Sequence, residues 1–121
     1  MFDHIGIGVT DLEKSKAFYL AALAPLGVEI VMEVDDAVGL GQDGAPSFWL
    51  GVVHSEPTHL HIAFTAHNRE QVDEFYRCAM EAGAKDNGGP GLRLDYHPNY
   101  YAAFVIGPDG HNIEAVCHTP Q

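Results

Sequence analysis

Apolar residues recur along this chain in two rhythms that take turns. Ile5, Ile7 and Val9 alternate with His4, Gly6 and Gly8, and Leu60, Ile62 and Phe64 alternate with His61, Ala63 and Thr65. A period of two predicts a strand with one apolar face and one small or polar face. A helical rhythm follows each strand. Val72, Phe75, Tyr76, Ala79 and Met80 fall at i, i+3, i+4, i+7 and i+8, and Ser15, Phe18, Tyr19, Ala22 and Leu23 occupy the same offsets. Such a stripe packs one helix face against a core. Thr10 with Glu13 three residues on has the form of a capping box, and Asn68 is a good N-cap. Gly83 and residues 25–27 supply the helix ends.

The remaining segments alternate or run apolar between turn signals. GVEIVMEV, DAVGLGQ and SFWLGVV follow the first helix, with Asp43-Gly44 as a hairpin turn. The second helix is followed by a glycine-rich connection (NGGPGL), then YYAAFVIG, a Pro-Asp-Gly turn at 108–110, and HNIEAVCH. Asp-Gly between apolar runs is a strong hairpin signal. Each half therefore reads β-α-β-β-β, and the chain reads as an α+β protein with helices on one sheet face.

The halves also repeat in sequence. HIGIGVTDLEKSKAFY (4–19) and HIAFTAHNREQVDEFY (61–76) align without a gap at an offset of 57, with His4 on His61, Ile5 on Ile62, Glu13 on Glu70, Phe18 on Phe75 and Tyr19 on Tyr76. Two copies fill the chain, so the repeat builds one duplicated domain over 1–121, with modules about 1–57 and 58–121, rather than a solenoid.

The repeat puts His4 and His61 on equivalent strands, each opposite the aliphatics that meet the helix. In the last strand Ile113, Ala115 and Cys117 share one face, which leaves Glu114 on the side of the histidines. A carboxylate within IEAV is costly to bury unpaired. Two histidines and one carboxylate make a facial triad for a divalent ion. Hydrogen-bonded histidines and a surface carboxylate are the plainer reading of the same residues.

Composition narrows the function classes. With six basic residues against seventeen acidic, the net charge is −11. Nucleic-acid binding needs a positive face and is excluded. No run nears the roughly 18 apolar residues of a membrane span. The opening MFDHIGIG lacks the basic segment of a signal peptide. Two cysteines, Cys78 and Cys117, then suit free thiols in a reducing cytoplasm.

The β-α-β-β-β duplication, the opening DHIGIGVTDLEKSKAFY, the second-half HLHIAF and the closing PDGHNIEAV together resemble the vicinal oxygen chelate superfamily. That group includes glyoxalase I, extradiol dioxygenases, fosfomycin-resistance enzymes and bleomycin-resistance proteins. The resemblance spans essentially the whole chain and implies a cleft-shaped mixed sheet. It implies a divalent metal (Zn, Mn, Ni or Fe) held by His4, His61 and Glu114, a small-molecule substrate bound through two neighbouring oxygens, and a homodimer, sometimes with halves exchanged between chains.

The family's glyoxalases add a fourth ligand on the last strand of the first half. Here that strand is SFWLGVV, and by parity Trp49 fills the slot. The loss argues against glyoxalase I, and the shortage of basic groups argues against glutathione or phosphonate ligands. The three-ligand set favours a dioxygenase-like enzyme. His97 is the candidate acid or base and Tyr101 the candidate hydrogen-bond donor to the substrate. Trp49, Tyr100 and Arg93 are candidate substrate contacts, Arg93 being the basic residue nearest the expected cleft. The alternative is a metal-free protein, like the bleomycin-resistance proteins, that sequesters a cationic small molecule on Trp49 and the tyrosines.

Overall fold

Both rhythms are realised, in two halves of like build. The computed structural model describes residues 2–121. The first half runs β1 (Ile5–Val9), α1 (Leu12–Leu23), β2 (Glu29–Val34), β3 (Ala37–Gln42) and β4 (Ala45–Val52). The second runs β5 (His61–Thr65), α2 (Arg69–Glu81), the short β6 (Lys85–Asp86) and β7 (Gly91–Leu92), then β8 (Tyr101–Ile106) and β9 (Asn112–Cys117). Two two-residue strands, one just before the glycine-rich connection and one at its end, thus stand where the first half has one longer strand. NGGPG offers few side chains to pack, so the ladder there stays short.

Each half forms its own mixed sheet, in the order β1-β4-β3-β2 and β5-β9-β8-β6, with β7 also on β8. The first strand of each half lies parallel to the last, and the other pairs are antiparallel. The Asp43-Gly44 turn between β3 and β4 has positive φ at both residues (53° and 77°), the geometry a tight hairpin requires.

The cap of α1 differs from expectation. Asp11 is the N-cap, its carboxylate accepting the Lys14 amide at 3.1 Å. Thr10 instead gives its amide (3.1 Å) and its hydroxyl (2.7 Å) to Asp109, in the turn before β9. Thr10 and Asp11 are both competent caps, and the Asp109 carboxylate draws the first away and leaves the second to the helix. Asn68 caps α2 as expected, accepting from the Gln71 amide at 2.8 Å.

One core serves both halves. It gathers Ile7 and Val9 of β1, Leu40 of β3, Leu50 of β4, Phe18 and Leu23 of α1, Phe75 and Ala79 of α2, and Ile113 and Ala115 of β9. The helices pack on each other, and Phe48 meets Phe64 edge to face at 5.2 Å across the halves. The Phe18-Tyr19 pair and Phe75 are buried, while Tyr76 sits at the margin with its hydroxyl on Asp86. Since the helix side of both sheets faces this core, the opposite side of each is turned away from it.

His111 joins the halves. It is fully buried. Its Nδ1 accepts from the Leu60 amide and its Nε2 donates to the Gly8 carbonyl, each at 3.1 Å. The ring thereby ties the start of β9 to β1 and to the chain just before β5. Among the described residues no helix is long and apolar enough to cross a membrane.

Candidate functional site

The sheet register shows which residues correspond between the halves. Gly6 lies beside Trp49 in β1–β4. Ala63 lies beside Glu114 in β5–β9. The 57-residue offset maps Gly6 onto Ala63, so Trp49 and Glu114 stand at equivalent points of their sheets, each on the face away from the core.

Glu114 is the centre of the second sheet's open face. Its side chain is 2% exposed, while that of His61 is 53% exposed. A buried carboxylate requires partners on both oxygens, and it has them. His61 Nε2 lies 2.7 Å from Oε1, and the Tyr100 hydroxyl donates to Oε2 at 2.5 Å. Burial, then the Glu114 hydrogen bond and charge, push the Tyr100 phenol up to about 12. His61 is both wet and anchored, so one edge of the pair is open to a ligand.

A belt of aromatic and cationic groups surrounds this pair. Tyr100 packs against Tyr96 (4.8 Å between centroids), His97 (5.4 Å) and His118 (5.2 Å). The Asn99 amide donates to His97 Nδ1 at 3.0 Å, so the ring's hydrogen sits on Nε2, which donates to His118 Nδ1 at 2.7 Å. On the other flank Phe104, the cross-strand neighbour of Glu114, lies 6.0 Å from the His61 ring. The Arg93 guanidinium covers Phe104 at 5.3 Å.

Five of the eight candidate residues thus share one face: His61, Glu114, Tyr100, His97 and Arg93. The other three lie elsewhere. His4 and Trp49 sit on the open face of the first sheet, where His4 is 60% exposed and bonded to Asp3 at 2.8 Å. Among the described residues no three His, Cys, Asp or Glu side chains come together as a metal-binding group, so His4 does not complete a triad with His61 and Glu114 of the same chain. Tyr101 is placed on the opposite face from its neighbour Tyr100. It pairs with Cys117, and its hydroxyl donates to Asp73 of α2 at 2.6 Å. That bond, with some burial, raises its phenol to about 12, and the expected role as donor to the substrate gives way to a strand–helix tie.

Two members of the belt escaped sequence reasoning. Phe104 lies in the apolar run YYAAFVIG, which has no alternation of its own to fix its phase. His118 follows the last strand, beyond the reach of its alternation. A signal for Phe104 existed in the hairpin itself, since the Pro-Asp-Gly turn sets which residue of β8 meets Glu114.

The donor set suits a divalent ion. His61 Nε2 and Glu114 Oε1 already converge on one proton, and an imidazole with a carboxylate on adjacent strands is a fit pair for Zn, Mn, Ni or Fe. Tyr100 would then act as the outer partner that orients the carboxylate.

Comparison with known proteins agrees with this architecture. The model of the Glyoxalase/Bleomycin resistance protein/Dioxygenase superfamily matches residues 1–115. A glyoxalase/bleomycin resistance protein from Albidiferax ferrireducens is 30% identical, with a TM-score of 0.86 over 98% of this chain and 99% of that one. A glyoxalase/bleomycin resistance protein/dioxygenase family enzyme from Burkholderia phytofirmans shares the fold at 18% identity, with a TM-score of 0.76 over 97% and 98% of the two chains. A glyoxalase I variant from Zea mays shares it at 20% identity and a TM-score of 0.73; the match covers 95% of this chain and 46% of that one. No curated protein matches the sequence.

Proposed function

Because the chain belongs to the Glyoxalase/Bleomycin resistance protein/Dioxygenase superfamily, we propose that it is a metal-dependent enzyme acting on a small molecule held through two neighbouring oxygens. The site is shared by two copies of the chain. His61 and Glu114 come from one copy and His4 from the other, and Trp49 of that second copy forms the facing wall. The observation that carries this reading is Glu114: a carboxylate buried on an otherwise open sheet face, converging with a wet histidine, while the equivalent His4 stands without a metal-ligating partner other than its neighbour Asp3.

When bound, a divalent ion supplies Lewis-acid chemistry to the substrate oxygens. The protein's own groups do the rest. Glu114 is held in register by Tyr100. His97 is the proton acceptor or donor at the mouth, acting through the hydrogen that its Nε2 shares with His118. The tyrosine and phenylalanine rings exclude water from one side. Three ligands without a carboxylate at position 49 favour dioxygenase-like chemistry over that of glyoxalase I. The two free thiols suit a reducing compartment such as the cytoplasm.

The net charge of −11 and the half-exposed Trp49 favour one competing reading, a metal-free protein that sequesters a cationic small molecule. A mixing experiment separates the two. Untagged wild type purified without chelators is expected to carry about one transition metal per chain, and His4→Ala and Glu114→Ala variants none. Mixing the variants after reversible dissociation makes about half of the dimers mixed, each with one intact site of two, so metal uptake returns to about one quarter of the wild-type level. No uptake by wild type leaves the metal-free reading; uptake by wild type that mixing fails to restore rejects the shared site.

A further inference from the structure

The basic side chains of this acidic protein are used unevenly. Lys16 is paired with Glu13 and Glu33, and Arg77 with Glu74 and Glu81. Arg93, like Lys14, Arg69 and Lys85, forms no ion pair among the described residues, but of these four it is the one set beside Tyr100 and Phe104 around Glu114. What sets it apart is that its guanidinium is held in place by backbone carbonyls rather than by a counter-ion.

Its position is fixed with some care. The Arg93 amide donates to the Tyr100 carbonyl at 2.7 Å, extending the β7–β8 ladder by one pair and setting both side chains on the face of Glu114. Its guanidinium is gripped by the glycine-rich connection. Nη1 donates to the Gly91 carbonyl (2.9 Å) and Nη2 to that of Gly89 (2.8 Å). A Cβ at Gly88 would come within 3.1 Å of Nη2, and one at Gly91 within 3.2 Å of Nη1. The glycines therefore allow the backbone to close around the group. Phe104 lies beneath it and His61 beyond Phe104. The Arg93 charge also reaches the Tyr100 phenol and opposes its upward shift.

Two of the five guanidinium N–H groups are occupied by carbonyls, and the rest remain for a ligand. A rigid, partly desolvated fork with donors to spare is the arrangement that recognises a carboxylate, and its planarity matches that group. A single guanidinium in a chain of this charge is a poor match for a phosphate dianion.

We infer that Arg93 is the anchor for a carboxylate carried by the substrate, so that the substrate class is an acid with two neighbouring oxygens at one end and its carboxylate at the other, the Phe104 ring lying beneath the span. The inference builds on the metal-chelate reading of the same site and deepens it.

The test is calorimetric and needs no turnover. Zn²⁺-loaded protein is titrated with catechol, with a catechol bearing a carboxylate on a two-carbon arm, and with the amide of that acid. The acid is expected to bind about 10–100-fold more tightly than the amide, the range of a charged hydrogen bond. Arg93→Gln should erase that preference while leaving catechol affinity within about twofold. Arg93→Lys, which keeps the charge and loses the fork, should retain part of it and serves as the second variant if the glutamine variant does not fold. Equal binding of acid and amide by wild type, or a preference that survives in Arg93→Gln, overturns the anchor alone. Failure of catechol itself to bind the Zn²⁺-loaded protein overturns the chelate reading and the anchor with it.

Discussion

The two open sheet faces began as copies and have become opposites. At equivalent points one carries the Glu114 carboxylate and the other the Trp49 indole. The second face has filled in around its carboxylate with Tyr100, His97, His118, Phe104 and Arg93. The first holds small residues, Gly6, Gly39 and Pro46, around its indole. Duplication supplies two histidines at no cost in design, but one carboxylate is enough, and a second would add charge to a chain already at −11. In the proposed shared site the difference is a division of labour: one face binds and orients, and the other closes over it.

Breaking this division at its strongest point gives the largest effect. Glu114→Ala should abolish metal uptake, whereas Trp49→Ala at the equivalent position should leave uptake intact and change only small-molecule affinity; elemental analysis beside calorimetry separates the two. Next comes the outer partner. Tyr100→Phe is expected to weaken metal binding about 10–100-fold, and Tyr101→Phe not at all, the latter costing only about 1 kcal/mol of unfolding free energy for its bond to Asp73. Competition with a chelator and urea unfolding read these separately. Trp49→Glu would make the faces alike again and should tighten metal binding on the order of tenfold by adding a charged ligand.

The smallest effect concerns protons. Tyr100 loses its proton at about 12, above the ordinary value near 10. A phenol whose folded pKa is raised contributes stability that is fully present below about pH 10 and is lost as pH rises toward about 12. Phenolate absorbance near pH 12 should fall by one tyrosine's contribution in Tyr100→Phe, that of Tyr101 remaining. In Glu114→Gln the Tyr100 titration should move down, because the adjacent negative charge is gone.

Much of the fold was legible because strands and helices announce themselves by period. Ile5, Ile7 and Val9 fixed the phase of β1, and Phe18, Tyr19, Phe75 and Ala79 that of the helices. The approach of His61 to Glu114 followed from the same parity. Tyr100 and Tyr101 show where it stopped. They are adjacent, so they point to opposite faces, and in YYAAFVIG nothing marks which face is which. Only the pairing of Tyr101 with Cys117 decides it. Arg93 and His97 lay in a stretch without alternation, where backbone hydrogen bonds rather than side-chain pattern set the shape. His4 failed to join its partners for a different reason: a period within a strand carries no information about how two sheets are turned relative to each other.

Trp49 has one more consequence. It is the chain's single tryptophan, and it lies half exposed on the face that carries His4. All of the indole fluorescence therefore originates at that face. Anything that covers it, whether a second copy or a ligand drawn to the opposing wall, changes the surroundings of the one emitter. The residue that stands opposite in kind to Glu114 at the equivalent point thus leaves the protein with a built-in optical reporter for the proposed meeting of its two unlike faces.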